Sequence, residues 1–107
     1  MTTIEEMKNT LSELKKARLT YGKLYKEFLE AKIKYRDVSA KIFLDARNIE
    51  GLKTVAEKEA WVHEQILNEY KDFKMSEGKL DAQKEGIKIL LAILSGLQSI
   101  NSNSRSI

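Results

Sequence analysis

Apolar and aromatic residues recur at alternating steps of three and four along the first part of the chain. The series is unbroken from Met7 to Ile42 and has one polar member, Thr10: Met7, Thr10, Leu14, Ala17, Tyr21, Leu24, Phe28, Ala31, Tyr35, Val38 and Ile42. This heptad-like spacing is typical of a helix that buries one narrow stripe against other helices. Such a helix has no core of its own, so we expect function on a surface that packed helices build together.

Polar residues predict where the helices begin and end. Thr3-Ile4-Glu5-Glu6 is typical of a capping box, in which a hydroxyl and a carboxylate satisfy backbone N–H groups, so we predict a first helix over 3–47. Asn48 and Gly51 tolerate a left-handed backbone and predict a turn over 48–53. A second box at Thr54-Val55-Ala56-Glu57 predicts a helix over 54–100, and residues 101–107 are expected to form a flexible tail.

The two helices are similar in length and joined by a short connection, which favours an antiparallel pair. We therefore predict an all-α fold, a coiled-coil-like antiparallel hairpin of two long helices that forms one domain over residues 1–100. The segment Met75-Ser76-Glu77-Gly78 is the weakest part of the second helix and leaves open whether that helix is continuous or broken near Gly78. Gly22, inside the first helix, predicts a close approach of two helices.

The second helix carries its predicted stripe at Val55, Val62, Ile66, Tyr70, Phe73, Leu80, Ile87, Leu90, Leu94 and Leu97. From Ile87 to Leu97, however, apolar residues occupy more faces than one partner helix can cover. We therefore predict a homo-oligomer held together by an aliphatic cluster: Ile87, Leu90, Leu91, Leu94 and Leu97.

Composition offers little for catalysis. The 107 residues include no cysteine and one histidine, His63, so a thiolate metal site is excluded and a zinc site or histidine dyad is not expected. The carboxylates of the second helix alternate with lysines, which favours solvated ion pairs over acid–base chemistry. We expect no enzyme activity, no cofactor and no metal.

The apolar run from Ile87 to Leu97 is too short to cross a bilayer, and the N-terminus lacks the charged and then apolar segments of a signal peptide. We therefore expect no membrane partner and a cytoplasmic location, which is the host cytoplasm if a phage encodes the protein.

Charge is unevenly distributed along the chain. The net charge is +3, but residues 8–47 carry eleven Lys/Arg against five Asp/Glu, while residues 48–107 carry eight against nine. A basic helix attracts phosphate, although the same charge is also typical of a solvated face.

Aromatic and cationic residues alternate between Tyr21 and Arg36, and such pairs hold single-stranded nucleic acid because bases stack on rings while cations follow phosphates. Tyr21, Phe28 and Tyr35 belong to the stripe, where packing is their expected role, which leaves Tyr25 as the candidate stacking ring. The candidate phosphate contacts are first Lys41, Arg36 and Arg47, and then Lys32 and Lys34.

A long basic helix, a glycine turn, the helix start Thr54-Val55-Ala56-Glu57-Lys58-Glu59-Ala60 and a Leu/Ile-rich end together resemble the UvsY-type recombination mediators of tailed phages and their small phage relatives. The resemblance covers most of the chain in layout and rests on no single diagnostic motif. It implies a ring-like helical oligomer that binds single-stranded DNA and helps load a recombinase while single-strand-binding protein is displaced. In the family stretch V-A-x-K-x-R-L-D, Lys41 matches the lysine but Phe43 replaces the arginine, so Arg36 or Arg47 would have to compensate.

The sequence therefore supports a recombination mediator that binds single-stranded DNA, with a recombinase and single-strand-binding protein as further partners. The alternative is a helical protein-interaction module without catalytic activity, such as a phage-encoded inhibitor or a structural adaptor. Charge reversal at Lys41 and Arg47 would spare that module, whereas changes at Leu91 or Leu94 would abolish its function.

Overall fold

The protein is all-α, as predicted. The structure, a computed structural model, describes residues 2–106, with side chains described for 2–104. This part of the chain contains three helices and no strand: α1 (Thr3–Ala46), α2 (Val55–Gln65) and α3 (Leu67–Ser106). No helix in it is long and apolar enough to span a bilayer.

The chain divides into two compact units by its contacts. We call residues 1–24 with 79–107 the terminal unit, and residues 25–78 the turn unit. The terminal unit pairs the beginning of α1 with the end of α3, and the turn unit pairs the end of α1 with α2 and the beginning of α3.

The predicted stripe of α1 is confirmed. All eleven of its residues, from Met7 to Ile42, are buried or half-buried, including Thr10, whose hydroxyl donates to the Glu6 carbonyl at 2.8 Å. On α2 and α3, the residues of the predicted stripe from Val62 to Leu97 are likewise buried or half-buried. Val55 is the exception: it is 73 % exposed because it lies in the first turn of α2, beside the connection.

The pairing is antiparallel in each unit. In the turn unit, Phe28 stacks on Phe73 and Tyr35 contacts Tyr70, so contact positions rise on α1 as they fall on α3. In the terminal unit, the Gln83 side chain donates from Nε2 to the Ala17 carbonyl at 3.0 Å, and Leu14 lines a groove with Leu91 and Leu94, so positions again fall on α1 as they rise on α3. The sequence predicted this coiled-coil-like hairpin arrangement correctly.

The first helix begins at Thr3, as predicted, but its capping residue and its last residue each differ from the prediction by one position. Thr2, and not Thr3, caps α1, because its Oγ1 accepts from the Glu5 N–H at 3.2 Å and its carbonyl accepts from the Glu6 N–H at 3.0 Å. The capping-box spacing of three residues is met by two pairs in the sequence, Thr2 with Glu5 and Thr3 with Glu6. The sequence spacing alone therefore does not decide which threonine caps the helix. At the other end α1 stops at Ala46, one residue before the predicted Arg47.

The connection lies between Ala46 and Val55, and of the two residues predicted to suit a left-handed backbone only Gly51 adopts it, while Asn48 does not. Gly51 has φ of +96°, a left-handed conformation that favours glycine. The capping box at Thr54 is confirmed: Thr54 Oγ1 accepts from the Glu57 N–H at 3.1 Å, and Glu57 Oε2 accepts from the Lys53 N–H at 2.9 Å.

The second half of the hairpin is interrupted at Ile66 and not near Gly78. Ile66 departs from helical geometry (φ −105°, ψ 10°), yet its N–H donates to the Val62 carbonyl at 3.1 Å and its carbonyl accepts from the Tyr70 N–H at 2.9 Å. It is buried with Val62 and Ala46, against Trp61, Tyr35, Val38 and Ile42. Gly78 lies within α3, where one glycine costs only about 1 kcal/mol and the helix continues on both sides.

Two further expectations are wrong. Residues 101–106 continue α3 instead of leaving it at residue 100; Asn101 follows Leu94 by seven residues and is half-buried, so the buried stripe extends past the predicted end. Ile107 lies outside the described residues. Gly22 marks no close approach, because a Cβ placed there would meet no neighbouring atom within 4 Å.

Candidate nucleic-acid interface

An aromatic cluster forms the centre of the turn unit. Phe28 and Tyr35 of α1 both stack on Phe73, with ring centroids 5.6 and 5.5 Å apart and interplanar angles of 29° and 16°. Tyr70 lies 5.7 Å from Tyr35, and the sequence placed all four rings on the helix stripes. These contacts hold α1 and α3 together and fix the orientation of the rings.

Two further rings extend the cluster toward solvent. Tyr25 lies 6.4 Å from Phe28 and is 45 % exposed, whereas Tyr21 and Tyr35 of the same helix are half-buried. The His63 imidazole meets Tyr70 edge-on at 6.3 Å and is exposed.

Lysines lie over these rings. Lys32 Nζ is 5.9 Å from the Phe28 centroid, and Lys74 Nζ is 5.9 Å from Tyr70 and 5.4 Å from Phe73. Such cation–π contacts keep ammonium groups beside the cluster while leaving them solvated. Lys74 also pairs with Glu77 at 3.4 Å, an exposed ion pair of small energetic weight.

The two flanks of α1 differ in charge within the turn unit. Because a helix turns by about 100° per residue, side chains directly after a stripe residue lie on one flank and those directly before it lie on the other. The first flank carries Tyr25, Leu29, Lys32, Arg36, Ser39 and Phe43 and contains no carboxylate. We call it the aromatic flank.

The opposite flank is acidic. Glu27, Glu30 and Lys34 of α1 line a groove with Glu69 and Asp72 of α3. Lys34 therefore shares this groove with four carboxylates, whose negative charge attracts its ammonium group and repels phosphate. No three acidic or imidazole groups among the described residues are arranged to hold a metal ion.

The structure thus separates the predicted nucleic-acid residues. Tyr25, Lys32 and Arg36 share the aromatic flank and are exposed. Lys41 lies on the acidic flank, two helical turns after Lys34. Arg47 lies in the connection, where its N–H donates to the Leu44 carbonyl at 3.3 Å. Both are exposed at the turn end, away from the aromatic cluster.

Sequence reasoning missed the cationic and polar residues that α2 and α3 bring to this flank. Lys74 was not singled out, His63 was considered only as an unlikely zinc ligand or catalytic residue, and Glu59 appeared only in the helix-start stretch 54–60. His63, Glu59, Val62 and Ile66 line a groove of about 250 Å³ with Tyr35, Ser39 and Phe43. The spacing 59, 62, 63 and 66 in the sequence is that of one helical face, and it could have indicated this grouping.

The predicted oligomerisation residues have two different environments. Ile87, Leu90, Leu94 and Leu97 are buried or half-buried in the terminal unit, whereas Leu91 is 42 % exposed. Leu91 and Leu94 line an aliphatic groove with residues of α1: Leu11, Leu14, Lys15, Arg18 and Leu19. Within the same unit, Ile89, Ile93 and Ile100 are also exposed.

Comparison with known proteins gives no relative for this chain. No family model, no curated protein and no solved structure matches it.

Proposed function

We propose that the protein binds single-stranded DNA through the aromatic flank of the turn unit and acts as a recombination mediator. One observation carries the proposal: a fixed aromatic cluster has lysines on its rings and lies beside a helix flank that contains cations but no carboxylate. Nucleobases stack on aromatic rings, and lysine and arginine neutralise the phosphates between them.

Each residue has a defined role in this proposal. Tyr25, the most solvent-exposed ring of the cluster on α1, stacks on a base. Lys32, Arg36 and Lys74 contact phosphates, because Lys32 and Lys74 lie over the rings and the exposed Arg36 follows Lys32 by one turn on the aromatic flank. Lys41 and Arg47 add positive charge at the turn end, and Lys34 contributes least because it shares its groove with four carboxylates.

The double variant Lys32→Glu/Arg36→Glu is expected to weaken binding of a labelled oligo-dT by about tenfold or more, because it replaces two phosphate contacts with repulsion. The measurement is fluorescence anisotropy at two salt concentrations. Lys26→Glu, which reverses one charge, is the control for Lys32→Glu measured alone, since Lys26 is exposed on the same helix but follows Tyr25 away from the stripe.

The control is expected to change the affinity by no more than about twofold to threefold. Wild-type protein that shows no salt-sensitive binding at micromolar concentration would contradict the proposal. The parallel variant Lys41→Glu/Arg47→Glu measures how much the turn-end cations contribute.

The mediator role follows from the resemblance of layout to UvsY-type mediators and from the proposed binding of single strands. In the cytoplasm, which is that of the host cell if a phage encodes the protein, it would assist a recombinase on DNA that single-strand-binding protein covers. Addition of the protein is expected to shorten the lag of recombinase assembly on such covered DNA. If the lag is unchanged while the protein still binds DNA, the mediator role is ruled out and the binding of single-stranded DNA stands.

The aliphatic groove of the terminal unit favours a second candidate, a helical protein-interaction module. Leu11, Leu19 and Leu91 expose apolar surface there, rimmed by Lys15 and Arg18. Leu91 is the residue to change in a test, because Leu94 is 9 % exposed and its loss would also weaken the helix pairing. The measurement is the effect of each variant on the lag of recombinase assembly. An effect that Lys32→Glu/Arg36→Glu retains but Leu91→Asp loses would favour this candidate.

A further inference from the structure

We infer that the groove between Tyr35, Phe43 and His63 is a subsite for one nucleobase that carries an exocyclic amino group, cytosine above all. This inference rests on the proposed binding of single-stranded DNA and specifies which base the turn unit selects. It concerns residues that lie beyond the phosphate contacts already assigned.

The groove has an apolar floor and aromatic walls. Val62 and Ile66, each 4 % exposed, form the floor, and Tyr35, Phe43 and His63 line the sides. Its volume of about 250 Å³ is below the ~300–1,000 Å³ of sites for drug-sized ligands, and suits one planar ring.

The walls are held in place from behind. Tyr35 stacks on Phe73 at 5.5 Å and contacts Tyr70 at 5.7 Å, and the same Tyr70 meets His63 at 6.3 Å. The Ser39 hydroxyl is occupied because it donates to the Tyr35 carbonyl at 2.6 Å. Rings oriented in advance lose little conformational freedom when a base enters.

The lining contains one carboxylate, that of Glu59. Its side chain is exposed, and within the described residues no protein group forms a hydrogen bond or an ion pair with it. A carboxylate accepts hydrogen bonds and cannot donate them at neutral pH, so it pairs with the N4 amino group of cytosine and not with the O4 carbonyl of thymine.

An aromatic groove with a carboxylate could also accommodate a lysine or arginine side chain of a partner protein. The charge around the groove distinguishes between this occupant and a nucleobase. Lys32, Arg36 and Lys74 lie on the same face of the turn unit. They repel a protein cation but attract the phosphates on either side of a base, which favours the nucleotide.

The test compares labelled oligo-dC and oligo-dT of equal length by anisotropy at near-neutral pH, with wild-type protein and two variants. Wild type is expected to bind oligo-dC about fivefold to tenfold more tightly, the discrimination typical of one additional hydrogen bond to a base. Glu59→Gln is expected to abolish this preference while oligo-dT binding stays the same or improves, because the amide also donates to thymine O4.

Glu64→Gln is the matched control, since Glu64 is exposed on the same helix and lines a different surface with Trp61 and Gly51. It removes the same charge and is expected to keep the preference for oligo-dC. Because His63 is the only histidine, its imidazole NMR resonances report directly on the groove, and deoxycytidine monophosphate is expected to shift them more than thymidine monophosphate.

Equal affinity for the two oligonucleotides would overturn the subsite and leave single-strand binding standing. No binding of either would overturn the proposed function, and the subsite with it. A lysine-rich peptide that shifts the His63 resonances in wild type but not in Glu59→Gln would overturn the assignment to a base in favour of a protein cation.

Discussion

At the scale of single residues, glycine shows how one residue type can have opposite effects on stability. Gly22 and Gly51 differ in backbone conformation: Gly22 is helical, with open space where a Cβ would lie, whereas Gly51 has φ of +96°. A side chain therefore costs nothing sterically at Gly22 but is strained at Gly51.

We expect Gly22→Ala to raise the free energy of unfolding by about 0.5–1 kcal/mol, because alanine loses less backbone entropy on forming a helix. Gly51→Ala is expected to lower it by about 1–2 kcal/mol, the cost of placing a Cβ in the left-handed region. Urea denaturation followed by circular dichroism measures both. A loss of stability for Gly22→Ala would show that this glycine serves a contact after all.

At the scale of elements, the start of α2 is fixed by side chains that satisfy backbone N–H groups. Thr54 and Glu57 each accept one such hydrogen bond, at 3.1 and 2.9 Å. Because α2 has only 11 residues before Ile66, it depends strongly on its cap and on its packing against α1.

Thr54→Ala is expected to lower the free energy of unfolding by about 1 kcal/mol, since the Glu57 N–H loses its acceptor. The same change at Thr20, exposed in the middle of α1, removes no cap and is expected to be neutral or slightly stabilising. Thermal denaturation of the two variants makes the comparison. Equal losses would contradict a capping role for Thr54.

At the scale of the whole molecule, the prediction of a homo-oligomer now rests on fewer residues. Ile87, Leu90, Leu94 and Leu97 serve the helix pairing of the terminal unit, so a second copy could meet only the apolar residues that this pairing leaves exposed. In the terminal unit these include Leu11, Leu91, Ile89 and Ile93.

We expect light scattering at tens of micromolar protein to give a mass above that of one chain, and Leu91→Asp to reduce it toward 12.3 kDa. A charge at a desolvated contact between copies costs more than the contact gains. Leu29→Asp, a change of the same kind at a 38 % exposed residue of the turn unit, is expected to leave the mass unaltered. A wild-type mass of one chain would rule out self-association.

Much of the candidate site could be found from the sequence, but not its grouping. Local spacing identified Tyr25, Lys32 and Arg36 as an aromatic and cationic stretch, and the structure places them on one flank. The spacing on α1 already puts Lys34 on the other flank, but no local pattern on α1 reveals that Glu69 and Asp72 of α3 share its groove. Phe43 and Glu59 come together only because the hairpin brings α2 against α1.

The sequence by itself determined the helices, their buried stripes and the turn, because hydrophobic spacing, capping residues and a left-handed glycine act over a few residues. Only the tertiary structure decided that the second helix is interrupted at buried Ile66, and which cations lie beside which rings. Those outcomes depend on the register of one helix against another, which is set by contacts between residues far apart in the chain.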